Sequence, residues 1–215
     1  MQYSTALSDG ILALACLVSA FALLRAGKGF ADEERPAWSC ALLGLLIPAA
    51  AALCGVVRFS IDPSWREAHS LLSHAGTFLA LPLVASAIFA FSRNLTWSQV
   101  SWGCLVIGLC VIFELARRTG LLAEYRLLLS LTAFTLILLA GLGRLPEWIS
   151  PALAAFAIVG LFLVAGLLVG TEGVIGPLLR VDLFHALLTP AYPLMAWLLL
   201  QLRDTVPSAN KVKAL

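Results

Sequence analysis

Charge is what this sequence has least of. Of 215 residues, 12% are Asp, Glu, Lys or Arg, while 61% are hydrophobic. Soluble domains run at about 25% charged and roughly 45–50% apolar residues. This chain therefore has too little charge to cover a water-facing surface, which excludes a soluble enzyme, a disordered chain and a secreted disulfide scaffold. Lysine is scarcer still. Lys28, Lys211 and Lys213 are the whole set, and none lies in an apolar run, so a retinal Schiff base in the last helix is excluded. The 14 basic and 12 acidic residues leave +2, which gives no basic footprint for nucleic acid. Cys16, Cys40, Cys54, Cys104 and Cys110 form no CxxC pair, so they read as small buried hydrophobes. No basic segment precedes the first apolar run, which therefore reads as a retained helix and not a cleaved leader.

What is present is a series of long apolar runs. A spanning helix needs about 20 mostly apolar residues, and seven runs qualify. They cover Leu7 to Leu24, Trp38 to Val57, Ser70 to Phe91, Val100 to Leu115, Leu127 to Leu142 with a start near Leu121, Ile149 to Val169, and Val181 to Leu202. Lipid offers no partner for unpaired backbone groups, so such runs are helices. The expectation is an all-α, polytopic integral membrane protein of seven transmembrane helices. It has one domain over residues 1–203, a polar tail over 204–215, and a multi-pass place in the cell membrane, the inner membrane if bacterial. With the N-terminus outside, the inner segments carry eight basic residues (Arg25, Lys28, Arg35, Arg93, Arg144, Arg203, Lys211, Lys213). The outer ones carry six (Arg58, Arg66, Arg117, Arg118, Arg126, Arg180). The positive-inside rule then favours N-out, C-in.

Pro48, Pro82, Pro190 and Pro193 interrupt spans, and each removes a backbone donor and tends to kink its helix. Gly166-x-x-x-Gly170 has the small-residue spacing that lets helices approach, and reads as packing within the chain. Asn94-Leu-Thr96 is a formal glycosylation sequon, on the inner side in this orientation.

Ionisable residues within spans are rare and expensive, so they point to function. Asp9, Arg58, His69, His74, Glu114, Asp182 and His185 all fall at starts of odd helices or ends of even ones. Those ends share one side of a membrane, and every histidine of the chain is among them. Asp9 after Ser8 reads equally as a helix cap, and Arg58, His69 and Arg180 as boundary residues snorkelling to headgroups. Asp182 and His185, spaced i, i+3, share a helical face. Ser70 and His74, spaced i, i+4, share another. If these two helices pack together, His74, Asp182 and His185 supply three metal ligands and leave a fourth position for water, the pattern of catalytic zinc. Ser70 or Glu114 would then orient or deprotonate that water.

Seven helices, S-x-x-x-H at Ser70 and His74, and His185 at the head of the last helix resemble the CREST superfamily of membrane hydrolases. That group includes alkaline ceramidases, progestin/adiponectin-receptor-like proteins and Per1-type factors. The resemblance implies a bound zinc and hydrolysis of a lipid amide or ester. In that family the zinc takes one histidine from the S-x-x-x-H helix and two from an H-x-x-x-H on the final helix. Here Val181 and Thr189 stand where the second of those would be, so Asp182 substitutes, and no acid follows between His74 and Arg93. The D-x-x-H opening of the last helix is also similar to bacterial seven-helix families.

Other classes stay open. Haem ligation by His74 and His185 lacks a second pair and a CxxCH. A small-solute transporter should show repeated halves or discontinuous helices, and its polar residues should lie nearer the midplane. A non-enzymatic accessory, sensor or assembly subunit needs only packed helices and a few polar contacts. The bilayer is the expected partner, with a lipid as substrate.

Overall fold

A computed structural model of the chain describes residues 2–145 and 148–204. The expected tail from residue 205 onward, with Lys211 and Lys213, lies outside the described residues. Among the described residues eight α-helices follow one another: α1 (Tyr3–Ala26), α2 (Arg35–Ser60), α3 (Arg66–Ala75), α4 (Leu81–Arg93), α5 (Gln99–Thr119), α6 (Leu122–Leu142), α7 (Ile149–Leu163) and α8 (Arg180–Asp204). A π-helical turn, Gly76–Ala80, joins α3 to α4, and another, Val164–Val169, extends α7. A two-residue antiparallel hairpin pairs Val174 with Leu179 before α8. Counting α3 and α4 as one rod, seven helices among the described residues are long and apolar enough to cross a membrane.

The third rod is longer than its apolar run. The polar stretch before Ser70 is helical from Pro63, so the rod starts earlier than the expected Ser70. The start signal is Asp62-Pro63. The Asp62 carboxylate accepts the Ser64 amide at 2.9 Å and the Ser64 hydroxyl at 2.7 Å, and proline at the first helical position has no amide to leave unpaired. His69 therefore sits inside a helix and not at its boundary. The π-turn lies directly before Pro82, where the ordinary i→i−4 ladder has to be relaxed in any case.

The third rod is the centre of the bundle. α4 packs on α2, α6 and α8, α1 packs between α2 and α8, and α7 closes the ring between α6 and α8. α5 is the least enclosed rod. The packing is close where glycine permits it. A Cβ on Gly44 would strike Val84 and come within 2.7 Å of the Ala80 carbonyl. One on Gly141 would come within 2.6 Å of Ala155 Cβ and 2.7 Å of the Pro151 carbonyl. Gly166 has nothing within 4 Å, and Gly170, at φ +67°, ends the helix. The Gly166/Gly170 spacing thus does not pack helices within the chain as expected; Gly44 and Gly141 do.

Each face of α1 has its own chemistry. Leu7, Ile11, Leu14, Val18 and Phe21 form an exposed apolar stripe. Inward lie Thr5, Ala6, Asp9, Leu12, Ala13 and Cys16, with Asp9 at 1% exposure. Large apolar side chains outside and small or polar ones inside suit a hydrocarbon surround, not water.

Candidate functional site

α1 begins at Tyr3 with Gln2 at its cap position, so Asp9 caps nothing. It stands six residues into the helix, roughly 9 Å along the axis, in phase with buried Thr5 and Leu12. His185 stands five residues into α8, at 9% exposure. Because α1 and α8 pack side by side, the two groups meet: His185 Nδ1 is 3.3 Å from Asp9 Oδ1. Ser8 joins them, its Oγ 3.1 Å from His185 Nδ1 and 3.2 Å from Asp182 Oδ1. The Ser8 oxygen is also 3.0 Å from the Thr5 carbonyl, so with the imidazole donating to that oxygen its single proton serves either the carbonyl or Asp182. This is not the arrangement of a Ser–His–Asp triad, where hydroxyl and carboxylate engage opposite ring nitrogens. Here both lie against Nδ1.

α2 supplies the gap that admits these groups. A Cβ on Gly55 would land on the Asp9 carboxylate and lie 2.9 Å from His69 Cε1. The space a side chain would fill is shared by an acid of α1 and an imidazole of α3. His69 Nδ1 is 3.0 Å from the Ala51 carbonyl. When that nitrogen carries the proton, Nε2 is left as a free lone-pair donor, as backbone-anchored histidines present to metals. Arg58, one turn beyond Gly55, lies over the Phe59 ring at 4.6 Å, and Arg58 and Asp182 are close enough to act electrostatically on Asp9. His69 stands in the same relation to His185.

Inside this ring of polar residues, bonding is incomplete. Both Asp9 oxygens and the Thr5 hydroxyl, which is 0% exposed, are buried without a hydrogen-bond partner. A buried carboxylate with no hydrogen bond, and only the His185 imidazole beside it, is costly and favours a positive ligand. Two oxygens and an imidazole nitrogen provide the donor chemistry of a zinc-type ion. Tetrahedral ligands at about 2.0–2.1 Å stand about 3.3–3.4 Å apart, which matches the Asp9–His185 separation. As they stand, no three His, Cys, Asp or Glu side chains among the described residues lie close enough together to hold an ion.

The expected ligand set His74, Asp182 and His185 is therefore divided. Asp182 and His185 belong to the cluster just described. His74 does not: its Nδ1 donates to the Ser70 carbonyl at 2.8 Å and its ring stacks on Phe78 at 6.3 Å. His69 and His74 are five residues apart, about 140° around the helix, so with His69 on the α2 side His74 faces α5. Ser70 and His74 line a different cleft at the same end of the bundle, with Arg66, Glu67, Leu71, Phe113, Arg117 and Leu122. Glu114 does not face His185 either. Its carboxylate takes two bonds from Arg117 at 2.8 Å and one from Arg118 at 2.7 Å, the usual i, i+3 and i, i+4 pairing on a helix surface.

The motif reading missed Ser8, Gly55 and His69 as partners. Helical phase held the signal: Thr5, Asp9, Leu12 and Cys16 recur on one face of α1, and Gly55 lies one turn before Arg58. Comparison with known protein families, with curated proteins and with solved structures returned no match.

Proposed function

We propose that the chain is a multi-pass membrane protein with its N-terminus outside and C-terminus inside, and that its working site is the Asp9–Asp182–His185 cluster. We propose further that this site takes up a divalent transition-metal ion of the zinc type. The observation that carries the reading is the Asp9 carboxylate, 1% exposed, with neither oxygen hydrogen-bonded and an imidazole nitrogen 3.3 Å away. Asp9 and His185 are the first two ligands. His69, with its Nδ1 already held by the Ala51 carbonyl, or Asp182, held by Ser8, moves in as the third. Bound there, the ion would supply Lewis acidity and a more acidic water. The chain's own residues set its surroundings: Gly55 leaves the room, Ser8 orients His185, and Arg58 balances the two carboxylates. The CREST resemblance then carries over as chemistry, the hydrolysis of a lipid amide or ester, with His69 in place of His74 and without Ser70 or Glu114 near the reacting bond.

A second reading rests on the Ser8 hydroxyl that joins His185 to Asp182. In it the acid–imidazole cluster binds a proton and no metal, as in a sensor or transporter subunit, since buried ionisable groups in spans also serve as proton relays. Metal content separates the two. Purified full-length chain is expected to hold about one zinc per molecule, to lose it in Asp9→Asn and His185→Ala, and to keep it in His74→Ala. A wild-type chain without metal after zinc loading overturns the metal reading and favours the proton site. Loss in His74→Ala would return the site to the S-x-x-x-H helix.

A further inference from the structure

The cleft that takes up Ser70 and His74 has no part in the cluster around Asp9, and its lining has a character of its own. It measures about 530 Å³ and opens between α3, the last two turns of α5 and the first residue of α6. Its polar members are Arg66, Glu67, Ser70, His74 and Arg117, and its apolar members are Leu71, Phe113 and Leu122. We propose that this cleft binds the phosphate of an anionic amphiphile, one whose headgroup carries no compensating cation, with the phosphate on Arg66 and Arg117 and the hydrocarbon against Leu71, Phe113 and Leu122.

Three features support it independently of the metal reading. Arg66 has no ion-pair or hydrogen-bond partner among the described residues, although it lines both this cleft and a neighbouring hollow of about 290 Å³ with Arg58. Arg117 spends Nε and one terminal nitrogen on Glu114, which leaves the other terminal nitrogen for a ligand. His74 has its Nδ1 turned to its own helix, so Nε2 is left for a phosphate oxygen when the ring is protonated. Guanidinium groups grip phosphate oxygens through paired N–H donors, more specifically than a point charge does. Arg66 and Glu67 open the third rod and Arg117 stands in the last turn of α5, while Leu71 and Phe113 each lie about one turn further along the same rods. An interfacial lipid headgroup presents that same order of charge above hydrocarbon. Glu67 is the one acid in the lining and opposes an anion.

The test uses purified full-length chain in phosphatidylcholine nanodiscs, titrated with short-chain phosphatidylglycerol and read by native mass spectrometry. Wild type is expected to retain phosphatidylglycerol over phosphatidylcholine. Arg66→Gln and Arg117→Gln should each weaken it about five- to tenfold, and Glu67→Gln should tighten it. Arg126→Gln removes the same charge from the same end of the bundle but outside the cleft, and should change binding less than about twofold. Displacement by added glycerol phosphate or inorganic phosphate identifies a soluble source for the group, and failure to displace identifies the lipid. No preference for phosphatidylglycerol in the wild type overturns the proposal. So does an Arg126→Gln loss equal to that of Arg66→Gln, which would mean diffuse attraction and not a site.

Discussion

Replacing Asp9 by asparagine is expected to stabilise the metal-free protein and to abolish its response to zinc. Both carboxylate oxygens are buried without a hydrogen-bond partner, and each such atom costs about 1–3 kcal/mol, more when charged. Asparagine keeps the shape that fits against Gly55 and removes the charge, so a net gain of about 1–2 kcal/mol follows in chelator. For a chain of this size 1 kcal/mol moves Tm by about 2–4 °C, which sets the rise at about 2–8 °C. Zinc at 100 times its Kd adds about 2.7 kcal/mol to a protein that binds it only when folded, about 5–11 °C on the same scale. Wild type should gain this and Asp9→Asn should not. The two proteins therefore exchange order, with the variant melting higher in EDTA and the wild type higher in zinc. Thermal unfolding in detergent, followed by the fluorescence of the six tryptophans, reads both arms. A variant that melts below wild type in EDTA would refute the reasoning, because Asp9 would then be held by attractions already present in the fold, from Arg58 or a protonated His185. Equal zinc shifts in both proteins would remove Asp9 from the ligand set.

Gly55→Ala puts a methyl group onto the Asp9 carboxylate and the His69 ring; overpacking of this kind costs about 1–3 kcal/mol, and zinc affinity should fall even if the fold survives. Gly141→Ala should lower Tm for the same reason, since Ala155 and the Pro151 carbonyl occupy the space. Gly166→Ala, in open space, should be neutral or stabilising by up to about 1 kcal/mol. On a background without the exposed Cys104 and Cys110, a cysteine at Ser64 should react with an impermeant maleimide from outside the cell, and one at Asp32 only after permeabilisation; the reverse result inverts the proposed orientation. The Asp62 carboxyl is held below the usual carboxylate range by the Ser64 hydroxyl and then by the Ser64 amide. A lowered folded value means the cap is fully present above the unfolded value of about 3.9 and is lost as pH falls through the folded one. Limited proteolysis between Ile61 and Arg66 should therefore rise only in acid for wild type, and already at neutral pH for Asp62→Ala.

The number of rods and the end of the bundle that gathers polar groups were legible in the sequence, because both depend on hydropathy summed over about 20 residues, and such sums tolerate errors of a few positions. The members of the site were less so, because they depend on phase, where one residue is 100°. Asp9 shows the difference. Ser8-Asp9 before an apolar run is a sound local capping signal, but α1 starts at Tyr3, and tertiary packing with α2 and α8 stabilises a first turn that propensity alone does not announce. Once the helix starts there, Asp9 falls in line with Thr5, Leu12 and Cys16, and the capping reading is lost. His74 fails in the same way. S-x-x-x-H guarantees that Ser70 and His74 share a face, and the structure keeps that promise, since both line one cleft. The motif does not say which neighbour that face meets. The start of the rod decides it. Asp62 and Pro63 fix the first turn, and Ala51 on α2 holds His69, which leaves His74 turned toward α5. A substitution that loosens the Asp62 cap should therefore reach both sites along this rod, the phosphate cleft through Arg66 in its first turn and the metal site through His69 one turn further on. Phosphatidylglycerol retention and zinc affinity should both fall in Asp62→Ala. Wild-type behaviour at both sites would mean that packing of the rod on α2, and not its start, sets its phase.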